Sequence, residues 1–352
     1  MPKRLVLCCD GTWNTPDQAC PTNVTKLALA VADRGDDGQE QRVFYHRGVG
    51  TSRWERFSGG AFGVGLSRNV KDTYRFIVEN FEPGDELFFF GFSRGAFTAR
   101  SAAGFVRNAG VLRPECAGQL DEAYDLYRDR RAHPRGIESQ LFRRSYSYET
   151  RIRFIGVWDT VGALGIPLSG LRLVNAFNRR WQFHDTELST TVDAAFQALA
   201  IDEKRQPFQP AVWQQQENAK NQRLEQVWFA GVHCDVGGGY QNAALADIAL
   251  LWMAYRARSC GLAFQLGAFP AIVSAGATNE TVVRPDAMGE LHESRKAFYR
   301  LLPPFKRRIG DKDPVHEYAS STAVQRREKE LQYAPPGLVT YLAQDQHQEM
   351  DV

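Results

Sequence analysis

The chain is predicted to be an α/β protein, doubly wound around a mostly parallel sheet with helical cap insertions. Three observations carry that expectation. Short apolar runs of strand length alternate with segments whose apolar residues recur at helical spacing, the pattern of a parallel sheet between two helical layers. One run, Leu87-Phe88-Phe89-Phe90, leads straight into Gly91-Phe92-Ser93-Arg94-Gly95-Ala96. Two more runs end on Asp159 and on His233.

The elements follow in order. Leu5 to Cys9 predicts the first strand, and Asp10-Gly11-Thr12 comes directly after it. Pro21-Thr22-Asn23 offers a cap for a helix through Val24, Leu27, Ala28 and Val31. Residues 42–45 predict a second strand. Glycines from Gly48 to Gly65 predict a mobile loop near the site. They do not form a phosphate-binding loop, because no Gly-Lys-Ser/Thr follows. Leu66, Val70, Tyr74, Ile77, Val78 and Phe81 mark an amphipathic helix, which Glu82-Pro83-Gly84-Asp85 ends.

The pattern after the third run is a strand, a very tight turn and a narrow helix. Gly91 and Gly95 are expected where side chains would strike neighbouring backbone. Ala96, Ala99, Ala102, Ala103 and Gly104 keep the helix slim. In α/β-hydrolases such a turn holds a serine in a strained conformation above the sheet. Residues 113–150 read as peripheral helices, and residues 152–158 as a buried strand. Residues 164–225 read as a cap insertion, with one helix carrying Leu188, Val192, Ala195, Phe196 and Leu199. A further strand ends at His233, a loop spans 235–240, and Leu245, Ile248, Trp252 and Tyr255 mark a helix stopped by Gly261. Residues 262–352 are weakly patterned and are expected to be peripheral. The whole of 1–352 reads as a single α/β-hydrolase-like domain.

Composition narrows the function. The chain has 352 residues, 43% hydrophobic and 24% charged, enough for a sizeable core. A formal net charge of +2 gives no bulk electrostatic case for nucleic acid. The clusters Arg128-Asp129-Arg130-Arg131 and Lys306-Arg307-Arg308 read as solvated faces. Cys8, Cys9, Cys20, Cys116, Cys234 and Cys260 include no Cys-x-x-Cys pair, and all six are expected to be free thiols. Cys8 and Cys9 should point to opposite faces of their strand. No signal peptide is evident, and no apolar run approaches the roughly 20 residues needed to span a bilayer. The expectation is synthesis in the cytoplasm, with signal-less export left open.

The chemistry rests on Ser93, Asp159 and His233. Each follows an apolar run, and their order is the Ser-Asp-His order of α/β-hydrolases. In open α/β sheets, functional residues gather beyond the carboxyl ends of the strands. Ser93 is the expected nucleophile, His233 the base and Asp159 the orienting acid, with Asp202 as the alternative acid. An oxyanion needs two fixed N–H donors. The Arg94 amide is one candidate, and Gly11 or Thr12 supplies the other. Asp10 is expected to hold that loop, and Asp235 to tie down Gly237 to Gly239. His233-Cys234-Asp235 has no further ligand at metal-binding spacing, so no metal or cofactor is expected. Cys8 stands where an aspartyl-phosphate phosphatase needs its nucleophilic aspartate. Leu164, Ile166, Leu168 and Leu171 are candidates for an acyl pocket under a lid margin at Gly165-Ile166-Pro167-Leu168.

Four motifs occur together and in order: Cys9-Asp10-Gly11-Thr12-Trp13-Asn14, Gly91-Phe92-Ser93-Arg94-Gly95-Ala96, Val157-Trp158-Asp159-Thr160-Val161-Gly162, and the stretch from Val227 to Tyr240. In these the chain resembles the DUF2235 family, the catalytic domain of Tle1-like type VI secretion phospholipase effectors. The resemblance implies an α/β-hydrolase fold whose Ser-Asp-His triad, here Ser93, Asp159 and His233, cleaves acyl esters of glycerophospholipids. It also implies a lipid or small-ester substrate, transient contact with a membrane surface, and an immunity or carrier protein if the chain is an effector. Full effectors usually carry longer membrane-facing or carrier-binding regions than this chain has room for. The competing readings are a general carboxylesterase or lipase on soluble esters, a thioesterase or peptidase with the same triad, and a non-catalytic protein that binds a partner through a hydrolase fold.

Overall fold

A computed structural model describes residues 2–352 apart from 12–13, 15–17, 49–58, 130, 162–186, 220 and 270–282. Its centre is one eight-stranded sheet. The strands are β1 (Arg4–Cys9), β2 (Gln41–His46), β3 (Glu86–Phe92), β4 (Ile152–Trp158), β5 (Val192–Ala200), β6 (Arg223–Phe229), β7 (Glu317–Ser320) and β8 (Glu349–Met350). Their order across the sheet is β8-β7-β6-β5-β4-β3-β1-β2, and every pairing is parallel.

The helices are α1 (Asn23–Ala30), α2 (Gly59–Asn80), α3 (Arg94–Ala109), α4 (Leu120–Arg128), α5 (Ile137–Tyr146), α6 (His233–Gly237), α7 (Ala244–Ser259), α8 (Ser321–Lys329) and α9 (Pro336–Leu342). Both faces of the sheet are covered, which is why its strands read as continuous apolar runs. Leu5, Leu7, Cys9, Leu87 and Phe89 pack against Tyr74 and Ile77 of α2 and Ala99 and Phe105 of α3. The alternate residues Val6, Cys8, Phe88 and Phe90 pack on the other face with Leu27 of α1 and Leu250 and Trp252 of α7. Cys8 and Cys9 therefore face opposite cores, as strand geometry requires. Each large apolar side chain so buried contributes about 1.5–3 kcal/mol. Thr22 caps α1 by accepting from the Thr25 amide at 3.2 Å.

The sheet turns in opposite directions on leaving β1, so the switch point lies between β1 and β3. Crevices at such points sit beyond the carboxyl ends of the strands. Asp10 follows β1 and Ser93 follows β3, so both lie at that crevice.

Several expectations are corrected. Val192, Ala195, Phe196 and Leu199 lie on strand β5, not on a helix, and Leu188 belongs to a two-residue strand paired with Gln214–Gln215. The reason is burial on both faces: with both sides of β5 covered, alternation disappears and apolar residues fall at helical spacing by coincidence. Within the predicted cap 164–225, residues 192–200 and 223–225 are strands of the central sheet, and no α-helix is found among the described residues of 187–225. Residues 262–352 supply β7, β8, α8 and α9, whose Ala319, Ala323, Leu338 and Tyr341 form a third apolar cluster with Leu199 and Trp228. That region completes the sheet and is not peripheral. Gly59 to Gly65 form the first turns of α2 instead of a loop. The lid and acyl-pocket candidates from Leu164 to Leu171 lie outside the described residues, as does Thr12.

Candidate active site

Ser93 stands alone between the end of β3 and the start of α3, at φ 58° and ψ −119°. An L-residue is held there only when the surroundings enforce it. Two close approaches do so. A Cβ on Gly91 would lie 2.6 Å from the Gly95 carbonyl oxygen, and one on Gly95 would collide with the carbonyl oxygens of Cys9 and Asp10. The Ser93 amide donates to the Trp158 carbonyl at 3.0 Å, pinning the turn to β4.

Asp159 follows β4 directly, also with positive φ, 38°. Its amide donates to the Ala198 carbonyl and its Oδ1 accepts from the Ala200 amide at 3.1 Å. His233 opens the short helix α6 after β6, and its amide donates to Glu203 Oε2 at 3.3 Å. The three side chains meet. His233 Nε2 lies 2.8 Å from Ser93 Oγ, and His233 Nδ1 lies 2.5 Å from Asp159 Oδ2. A carboxylate can only accept, so Nδ1 carries the proton and Nε2 is left to accept from the serine hydroxyl. Phe92 lies 4.6 Å from the His233 ring and Phe208 meets it edge-on at 4.9 Å. All three polar residues are buried.

Arg307 was not anticipated. From the C-terminal region its Nη1 donates to Asp159 Oδ1 at 2.5 Å and its Nη2 to Oδ2 at 3.0 Å. The same guanidinium reaches the carbonyls of Ala200 and Phe208. Burial would raise the Asp159 pKa, but Arg307 and His233 hold it well below the usual carboxylate range. Burial also lowers the His233 pKa below its ordinary value, against the pull of Asp159. The imidazole is therefore neutral at physiological pH. In the sequence Arg307 is only the centre of Lys306-Arg307-Arg308, which reads as a solvated cluster. Its side chain is instead 1% exposed. Nothing local in the sequence marks it, because its partner lies 148 residues away.

The remaining predicted residues fall as follows. Asp10 is a hub: Oδ1 accepts from the Gly11 amide at 2.6 Å, and Oδ2 from the hydroxyls of Thr22, Thr25 and Tyr45. It holds the loop after β1, but in doing so it engages the Gly11 N–H, which is not free to meet an oxyanion. The Arg94 amide lies in the first turn of α3, directly after Ser93. Asp202 is turned away from His233. It accepts from the Gly231 amide at 2.7 Å and the Tyr333 hydroxyl at 2.9 Å. Asp235 does not tie down Gly237 to Gly239. It accepts from the Val232 amide at 2.9 Å and grips His292 Nδ1 at 2.6 Å, fixing the C-terminal region to α6. Burial pushes the Cys234 thiol up to about 12, which leaves it inert as a nucleophile. Glu203, also unanticipated, carries Arg205 by a bidentate pair at 2.9 and 2.8 Å, and the Arg205 guanidinium stacks over Phe208 at 3.6 Å. A cavity of about 500 Å³ lies behind Arg307, walled by Ile201, Val232, Phe305 and Tyr333; Ser93 does not line it.

An uncharacterised protein of Saccharomyces cerevisiae is 28% identical over 230 residues, covering 58% of this chain and 32% of that protein. The crystal structure of an uncharacterised protein from Pseudomonas aeruginosa is 16% identical with a TM-score of 0.44, covering 75% of this chain and 46% of that one. The Tle1 effector, solved bound to the VgrG spike of the type 6 secretion system, is 21% identical with a TM-score of 0.37, covering 68% of this chain and 52% of that one. The chain thus spans about a third of the curated relative's length and about half of each solved chain. The family model for the type VI secretion phospholipase effector Tle1-like catalytic domain matches residues 3–256, well over half of the chain. By that match the chain belongs to the Tle1-like phospholipase effector catalytic-domain family.

Proposed function

We propose that this protein is a serine carboxylic-ester hydrolase acting on acyl esters of glycerophospholipids, with Ser93, His233 and Asp159 as its triad. The single observation that carries the reading is the continuous hydrogen-bonded line from Ser93 Oγ through both His233 nitrogens to Asp159. Membership in a phospholipase effector family supports lipid as the substrate class.

In this reading Ser93 Oγ attacks the acyl carbonyl while His233 Nε2 takes its proton. Asp159, fixed by Arg307, keeps the proton on Nδ1 and stabilises the imidazolium. The tetrahedral oxyanion is met by the Arg94 amide, aided by the N-terminal dipole of α3, and by the Thr12 amide as the second donor. Collapse expels the lysophospholipid alcohol, which takes the proton from His233. Water then cleaves the acyl-enzyme by the same route in reverse. On the same family grounds, a secretion carrier and a cognate immunity protein are the proposed partner classes.

The test is hydrolysis of p-nitrophenyl esters of graded chain length and of phosphatidylcholine and phosphatidylglycerol vesicles, by wild type and Ser93→Ala. Activity lost in the variant supports the triad, and preference for vesicles over short esters supports the phospholipase reading. Preference for short soluble esters would make it a general carboxylesterase. Equal inertness of both proteins on every substrate would favour a partner-binding role.

A further inference from the structure

Residues 295–308, Arg-Lys-Ala-Phe-Tyr-Arg-Leu-Leu-Pro-Pro-Phe-Lys-Arg-Arg, contain six cations and no acid, whereas the whole chain carries a formal charge of only +2. The segment lies beyond the residues that match the family model. It is fastened at three places. Arg307 is clamped on Asp159. The Phe305 amide donates to the Lys204 carbonyl at 2.8 Å. Tyr299 lies under the Arg205 guanidinium, 5.6 Å from ring centre to carbon. That same guanidinium covers Phe208, whose ring touches His233. The segment is thus a strap running past the triad.

Away from its anchors the strap faces outward. Lys296, Arg300, Lys306 and Arg308 are exposed, and none of them forms an ion pair with a described residue. Among them stand Leu301, 81% exposed, and the exposed Pro303 and Pro304. Cations interleaved with protruding apolar side chains suit the headgroup boundary of a bilayer, where the apolar groups enter and the cations meet anionic lipid. A nucleic-acid backbone would use the charge but leave Leu301 in water.

We propose that the outer face of 295–308 is a docking surface for an anionic lipid bilayer, holding the mouth of the Ser93 site against the membrane. The proposal rests on the ester-hydrolase reading for its purpose but not for its measurement.

The test is co-sedimentation with vesicles of phosphatidylglycerol and phosphatidylcholine in equal parts, and of phosphatidylcholine alone, using the full chain with Ser93→Ala so that the lipid stays intact. The comparison protein adds Arg300→Glu, Leu301→Ser and Arg308→Glu. Each cation near an anionic surface is worth about a fivefold change in partitioning. The expected result is at least a tenfold loss of binding to the anionic vesicles in the variant. Wild-type binding should weaken in 0.5 M salt, used to screen the charges to within about 4 Å, and be weak on phosphatidylcholine alone. With Ser93 restored, the variant should hydrolyse a short soluble ester at the wild-type rate.

Undiminished vesicle binding in the variant would overturn the proposal, and so would equal binding of wild type to both vesicle types. Loss of short-ester hydrolysis in both this variant and the milder Arg300→Gln/Arg308→Gln would also overturn it, assigning the strap to the catalytic fold. A dimer in gel filtration that the variant abolishes, with no vesicle binding by wild type, would give the surface to a second copy of the chain. Vesicle binding by a wild type that hydrolyses no ester would sustain the docking surface while removing the hydrolase reading.

Discussion

Arg307 holds both carboxylate oxygens of Asp159, at 2.5 and 3.0 Å, in a fully buried pair. The carboxylate that accepts from His233 is therefore itself held, by a residue from the far end of the chain. A planar fork matches a carboxylate in two places, which a lysine ammonium cannot do. Arg307→Gln leaves Asp159 buried without its cation and should cost about 3–5 kcal/mol of stability, read by urea unfolding. In the fraction that remains folded, the acid limb of the pH–rate profile should move to higher pH, because the cation opposing protonation is gone. Arg307→Lys should restore the charge but not the full activity. A variant as stable and as active as wild type would show that the pair does neither job.

Ser93 and His233 act as a unit in the proposed mechanism, so their losses should not add. Ser93→Ala and His233→Ala should each lower kcat by more than about 10³-fold, and the double variant by no more than the worse single one. Asp159→Asn should cost on the order of 10⁴-fold by presenting the wrong tautomer to Ser93. Steady-state rates on a short soluble ester measure all four. Multiplying losses would mean that the 2.8 Å contact is not the working one.

The pH dependence follows from burial. The His233 pKa lies below its ordinary 6.5, so the base stays neutral as pH falls through 6.5, and the acid limb of kcat/KM should lie below that value. The unfolded histidine takes up its proton at higher pH than the folded one, so its contribution to stability falls as pH drops below about 6.5. Asp159 is held low, so its contribution is present above about pH 4 and lost below it. Rate and unfolding midpoints between pH 4 and 8 test both signs. An acid limb above 6.5 would contradict the geometry.

Two glycines should respond very differently to the same change. A Cβ on Gly95 runs into the backbone of Cys9 and Asp10, whereas one on Gly118 meets nothing within 4 Å. Gly95→Ala should destabilise by about 2–3 kcal/mol and abolish activity by shifting Ser93. Gly118→Ala should be nearly silent on both counts. Urea midpoints and ester hydrolysis on the pair would show whether close packing of α3 on β1 sets the serine.

The sequence by itself determined the layered α/β architecture, the turn at Ser93 and the residues Asp159 and His233. All of these are encoded locally: an apolar run buries a strand, and the residue that follows it must stand at the strand's carboxyl end. Thr22 as a helix cap and the opposed faces of Cys8 and Cys9 are legible for the same reason. Tertiary structure alone decided the rest. It made β5 a strand, because burial on both faces erases the alternation that would have marked it. It aimed the Gly11 amide at Asp10 and turned Asp202 toward Tyr333, choices fixed by which donors surround each carboxylate. It also drew Arg307 out of a basic run and buried it against Asp159. A buried charge needs a partner, and that partner is set by how the chain returns to the sheet, which no local pattern of residues records.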